Sequence, residues 1–161
     1  MSGKIVIFGA TGGIGEASAR RLHAQGRELH LVARNHDLLY PLASELRASF
    51  TLADLDEAGA FARVGEEAAQ GGSLAGLVFA IGTINLKPLA RLTRVDFERD
   101  YLVNALWAAE ALQATLPALA KQEGGASVVL FSSVAVAQGF PNHASISMAK
   151  GAVEERGRFV C

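Results

Sequence analysis

Residues 4–15 read Lys4-Ile5-Val6-Ile7-Phe8-Gly9-Ala10-Thr11-Gly12-Gly13-Ile14-Gly15, and the rest of the chain is organised around this stretch. Lys4–Phe8 is a short β-branched apolar run bounded by Gly3 and Gly9, the form of a strand buried on both faces. From Gly13 to Gln25 the pattern turns helical, with Ile14, Ala17, Ala19 and Leu22 on one apolar stripe and Gly26 as the C-terminal cap. Glycines at such a strand–helix junction let the backbone turn tightly and approach a pyrophosphate. The helix N-terminus adds free N–H groups and the positive end of its dipole. This placement points to nucleotide binding.

Outward from that junction, strands and helices alternate. Glu28–Val32 reads as a strand and His36–Ala48 as a helix with Pro41 near its first turn. Ser49–Leu52 is a third strand, Leu55–Gln70 a helix closed by Gly71-Gly72, and Leu74–Ala80 a fourth strand. Thr93 and Asp96 have capping-box spacing and open a long helix carrying Phe97, Tyr101, Val103, Leu106 and Trp107 at apolar positions. Pro117 is expected to kink or end its regular part, and Gly124-Gly125 to stop it. Ser127–Phe131 is a fifth strand, and Ala144–Val153 begins another helix. The alternation predicts an α/β fold, a doubly wound, Rossmann-like parallel sheet with right-handed crossovers.

Composition narrows the function. With 161 residues, 50% hydrophobic and net charge −1, the chain has a core and no basic field for nucleic acid or an anionic membrane. No run approaches the ~18 apolar residues of a membrane span, the start lacks the form of a secretory signal, and Cys161 is the single cysteine. A cytoplasmic location is expected. His23, His30, His36 and His143 lack ligand spacing for zinc, and Ser132-Ser133 lacks a hydrolase elbow. Asp54/Asp56 and Glu66/Glu67 read as ordinary helix-start and surface carboxylates.

The glycines at 9, 13 and 15, with Thr11-Gly12 between them, resemble the phosphate loop of the short-chain dehydrogenase/reductase family. Asp54-Leu55 matches the adenine-side acidic position, Asn104 the catalytic Asn of the long helix, Ser132-Ser133 the end of the fifth strand, and Lys150 the lysine of the next helix. The resemblance implies strand order 3-2-1-4-5 and an NADP(H)-dependent oxidoreductase that interconverts a carbonyl and an alcohol of a small molecule. It implies dinucleotide contacts from Gly9, Thr11, Gly13, Ile14, Gly15, Arg34, Asp54, Leu55, Gly82 and Lys150. Ser133 would polarise the carbonyl, Asn104 hold a relay water, and Lys150 bind the ribose. The long helix from Thr93 and the helix after Ala144 resemble the family's dimer interface, which implies a homo-oligomer. NADP is expected over NAD because Ala33-Arg34-Asn35 offers a guanidinium and no carboxylate where the ribose 2′ substituent is read. Gly12, however, stands where many NADP-binding relatives carry Arg or Lys.

Three departures accompany the resemblance. Phe79-Ala80-Ile81-Gly82 replaces the family's Asn-Asn-Ala-Gly, so the side-chain hydrogen bonds of that loop must be lost or replaced. The catalytic tyrosine is replaced by Ile146, four residues before Lys150 and thirteen after Ser133. The family's final strands are missing, so residues 1–161 are expected to form a single dinucleotide-binding domain incomplete at its C-terminus. Val128–Phe131, apolar on both faces, would then be a bare sheet edge. His143, one helical turn before Ile146, is the candidate substitute acid, with Ser145, Ser147 and Asn142 as alternatives that hold a water. The competing readings are a non-catalytic dinucleotide-binding or scaffold protein and an inactive fragment.

Overall fold

Strand β1 (Lys4–Phe8) sits at the middle of a five-stranded sheet, where its apolar side chains are covered on both faces: Val6, Ile7 and Phe8 are all 0% exposed. Its neighbours are β2 (Leu29–Ala33) and β4 (Leu74–Phe79). β3 (Ser49–Leu52) lies beyond β2 and β5 (Ser127–Leu130) beyond β4, giving the order β3-β2-β1-β4-β5. The registers are parallel, with Ile5 opposite Leu29, Val6 opposite Leu77 and His30 opposite Ser49. The computed structural model describes residues 3–70 and 72–156. Every residue of β4 is buried, whereas at the β5 edge Val128 and Val129 are exposed. The expected order is therefore found, and β5 is an edge strand.

By internal contacts the chain divides into two units. One comprises residues up to Ala80 with Glu110–Val129; the other comprises Ile81–Ala109 with the residues from Leu130 onward. The first contains α1 (Gly13–Ala24), α2 (His36–Glu45) and α3 (Ala60–Ala69) with the sheet. α1 ends at Ala24, one residue before the expected Gln25, and Gly26 takes the left-handed conformation (φ +75°) of the cap read from sequence. α2 stops three residues earlier than expected. Arg47 takes φ +49°, Ala48 N–H donates to Ala43 O at 2.9 Å, and Arg47 N–H to Ser44 O at 3.2 Å. That is a Schellman ending, with arginine where glycine is usual. Pro41 lies in the second turn of α2, not the first; the Asp37 carbonyl it deprives of a donor belongs to an exposed residue. α3 starts at Ala60, not Leu55, because Asp54 makes a turn of its own, accepting from Asp56 N–H at 3.1 Å and Glu57 N–H at 3.2 Å.

The long helix opens where expected, but it is not one regular helix. Thr93 and Asp96 form a full capping box at the start of α4 (Arg94–Tyr101). Leu102–Leu106 then widen into a π-helical turn, in which Trp107 N–H reaches back to Leu102 O, before α5 (Trp107–Leu119) resumes. Pro117 is accommodated inside α5, which ends two residues later. The second unit also holds α6 (Val134–Ala137), which the sequence did not suggest, and α7 (Ala144–Arg156). α4 and the π turn both pack against α7. No helix of the described residues is long and apolar enough to cross a membrane.

Candidate functional site

In the first unit the glycine loop adopts the form its composition requires. Gly9 has φ +78°, and a β-carbon on Gly15 would land on the Gly9 carbonyl oxygen, so the start of α1 lies hard against the turn. Gly12 caps α1 without a side-chain hydrogen bond, and Gly13 has nothing within 4 Å of its missing β-carbon. Glu16 N–H is the first amide of the helix to find its partner, Gly12 O, at 2.8 Å. An open surface over free helix N–H groups fits a pyrophosphate. Thr11 is half-buried and Ile14 is 53% exposed beside this surface.

Arg34 follows β2 and is exposed, without an ion pair among the described residues. Arg20, by contrast, is held by Glu16 at 3.0 Å and by Glu45. Leu55 is buried, whereas Asp54 is exposed and its carboxylate is already engaged by the Asp56 amide.

The second unit brings three of the sequence-read residues together. The point where a β-carbon on Gly82 would stand is 2.9 Å from Asn104 Oδ1 and 3.8 Å from Lys150 Nζ. Asn104 is 1% exposed and lies in the π turn, an irregularity found disproportionately at functional sites. Its Nδ2 donates to Asp100 O at 2.9 Å and to Thr83 O at 3.0 Å, and its Oδ1 accepts from Thr83 N–H at 3.3 Å. Lys150 is buried on α7, and burial pushes its ammonium below the ordinary lysine range.

Ser133 caps α6, its Oγ accepting from Ala135 N–H at 3.2 Å. Ser147 Oγ donates to Ala135 O at 2.9 Å, tying α7 to α6. Ile146, one turn before Lys150, is 3% exposed. His143 is half-buried in the turn ahead of α7, its Nδ1 2.7 Å from Pro141 O and its ring against Phe140. Among the described residues it makes no hydrogen bond to Ser133 or Lys150.

Sequence reasoning missed the π turn and Asp100. Asp100 is 0% exposed, and its Oδ1 accepts from Thr83 Oγ1 and Asn85 Nδ2, each at 3.1 Å. Asp100 stands one turn before Asn104, but among Arg94, Asp96, Glu98 and Arg99 nothing in the sequence marked it out.

The parallel order 3-2-1-4-5, the glycine junction, and the Asn and Lys beside a post-β4 glycine define a Rossmann-type α/β class. A family model described as enoyl-(acyl carrier protein) reductase matches residues 9–161, and the chain belongs to the short-chain dehydrogenase/reductase family. It is 28% identical over 157 residues to the uncharacterized oxidoreductase Lin0452 of Listeria innocua, and 27% identical to Lmo0432 of Listeria monocytogenes. Each match covers 94% of this chain and 63% of the relative, so the chain spans under two thirds of their length. A short-chain type dehydrogenase/reductase from Mycobacterium ulcerans has the same fold, with TM-score 0.90 at 22% identity over 99% of this chain and 61% of that one.

Proposed function

We propose that this protein binds NADP(H) and interconverts a carbonyl and an alcohol of a small molecule. The convergence of Asn104 and Lys150 on Gly82 supports this reading most. Gly9, Thr11, Gly13, Ile14 and Gly15 take the phosphates, Arg34 the 2′-phosphate, and Asp54-Leu55 the adenine side. Arg34 suits that task because it is exposed and, among the described residues, pairs with no carboxylate. Gly82 and Lys150 hold the nicotinamide ribose. When bound, the cofactor supplies or accepts the hydride. Ser133 orients the carbonyl, and Asn104 holds the water through which a proton passes. His143 is the proposed proton source: with Nδ1 held at Pro141 O, Nε2 is its exchanging nitrogen.

A second reading is favoured by Ile146, a buried residue without a titratable group at the tyrosine position: a dinucleotide-binding protein without turnover. Titration of NADPH and NADH, followed by NADPH oxidation with a panel of small carbonyls, separates the two. The enzyme reading expects tighter NADPH binding, lost in Arg34→Ala, together with turnover. Binding without turnover in any carbonyl selects the second reading, and equal affinities for both cofactors remove the role of Arg34.

A further inference from the structure

We propose that Asp100 is a positioning residue for Asn104: through the Thr83 hydroxyl it holds in place the Thr83 backbone to which the Asn104 amide is hydrogen-bonded. The inference rests on the reading of Gly82, Asn104 and Lys150 as the nicotinamide-side group. It starts from the loss of asparagine side chains in Phe79-Ala80-Ile81-Gly82, which leaves the segment after β4 to be held by other means. Residues 81–88 form neither helix nor strand. Lys87 ties the far end of the segment to Asp96 at 2.6 Å, and the end next to β4 is held by a three-residue relay.

Asp100 Oδ1 is an acceptor here, because Asn85 Nδ2, which faces it at 3.1 Å, can only donate. Thr83 Oγ1, 3.1 Å from Asp100 Oδ1, therefore spends its one hydrogen on Asp100 and presents lone pairs elsewhere. Asn104 Nδ2, at 3.2 Å from that same oxygen, is the donor that meets them. With its NH2 committed to Thr83 and to Asp100 O, Asn104 turns its Oδ1 to the Thr83 N–H and the Gly82 side. Asn85 Nδ2 adds a second tether from the same loop to Asp100 Oδ1 at 3.1 Å.

The energetics argue that Asp100 serves position and not stability. It is 0% exposed, and its Oδ2 is buried with no hydrogen-bond partner among the described residues. A half-satisfied buried carboxylate is costly, and an apolar residue of similar size is commonly neutral or stabilising in such a place. Thr83 is exposed and Asn85 half-buried, so both donors can return to water if the carboxylate is removed.

The experiment compares Asp100→Val, Thr83→Val and Thr83→Ser with the wild-type chain. It measures thermal midpoint, amide hydrogen exchange at Thr83 without cofactor, and NADPH affinity. Asp100→Val is expected to keep or raise the midpoint while Thr83 exchange quickens and NADPH affinity falls, each by about tenfold, the size of one lost hydrogen bond to a charged group. Thr83→Val should reproduce both effects with the carboxylate intact, and Thr83→Ser, which keeps the hydroxyl, should restore them. Unchanged exchange in both valine variants overturns the relay, and so does a serine variant that behaves like valine. Should Asp100→Val fail to fold, the exposed Thr83 pair still decides. A wild-type chain that binds no dinucleotide removes the functional reading instead, and exchange then tests the relay alone.

Discussion

Asn104 Oδ1 lies 2.9 Å from the point that a β-carbon on Gly82 would occupy, and Lys150 Nζ lies 3.8 Å from it. A methyl group there must displace the buried amide, since 2.9 Å is closer than carbon and oxygen tolerate. Gly82→Ala is therefore expected to cost about 1–3 kcal/mol through overpacking. It should also release the Thr83 amide, which now donates to that oxygen at 3.3 Å. Urea denaturation together with exchange at Thr83 checks both; a wild-type midpoint with wild-type exchange would show that Asn104 has room to move.

The glycine loop separates fold from ligand. Gly15→Ala is expected to be severe for stability, because the new methyl meets the Gly9 carbonyl, which is backbone and cannot swing away. Gly13→Ala has nothing within 4 Å and should leave the thermal midpoint within a degree or two of wild type, alanine being also the better helix former. Its methyl nevertheless stands beside the free N–H groups at the start of α1. NADPH affinity should therefore fall in Gly13→Ala although the fold does not. Unchanged affinity would mean that the phosphates do not approach at Gly13.

The sheet was legible because a parallel sheet covered on both faces writes continuous apolar runs, as in Lys4–Phe8 and Leu74–Phe79, and such runs have few other readings. Gly82, Asn104 and Lys150 were legible only through the resemblance to the short-chain dehydrogenase/reductase family. The end of α2 was not, because Arg47 takes the left-handed position where a glycine would have announced the stop. The π turn at Leu102–Leu106 was hidden for a different reason. An i→i−5 bond is chosen by packing across elements, and Leu-Val-Asn-Ala-Leu is equally good for an α-helix. Asp100 is one of several charges in Arg94–Tyr101 and only its burial distinguishes it.

Acid stability should carry the signature of His30. This side chain is 2% exposed on β2, with Nδ1 3.0 Å from Ser49 Oγ and Nε2 2.9 Å from Thr51 Oγ1, and Thr51 in turn donates to Glu67. Burial, followed by the positive charge of Lys4, lowers its pKa from 6.5 to about 4, with Glu67 opposing. The unfolded chain thus binds the proton first. Stability is fully present above the unfolded value of 6.5 and is lost as pH falls from there toward 4. The full shift corresponds to about 3 kcal/mol. Urea midpoints from pH 7 to 4 should fall more steeply in wild type than in His30→Gln. Parallel curves would assign the acid sensitivity to other groups.

The last expectation concerns the proton that accompanies the hydride. Ile146 is 3% exposed on α7, one turn before Lys150, so a tyrosine introduced there faces the same side of the helix as the lysine. The larger ring should cost about 1–3 kcal/mol in that packed site. Against that loss stands a placed acid, worth about 10²–10⁴-fold in rate. If the natural chain turns over through His143, then His143→Ala should abolish NADPH oxidation in the wild-type background. The same change should leave Ile146→Tyr nearly untouched, because the phenol then supplies the proton. Turnover that appears only with Ile146→Tyr, alongside NADPH binding equal in both proteins, would instead mean a competent scaffold whose natural sequence has given up the chemistry. Absence of turnover in both, with NADPH still bound, would place the deficit beyond the tyrosine position, in the carbonyl-binding side of the site.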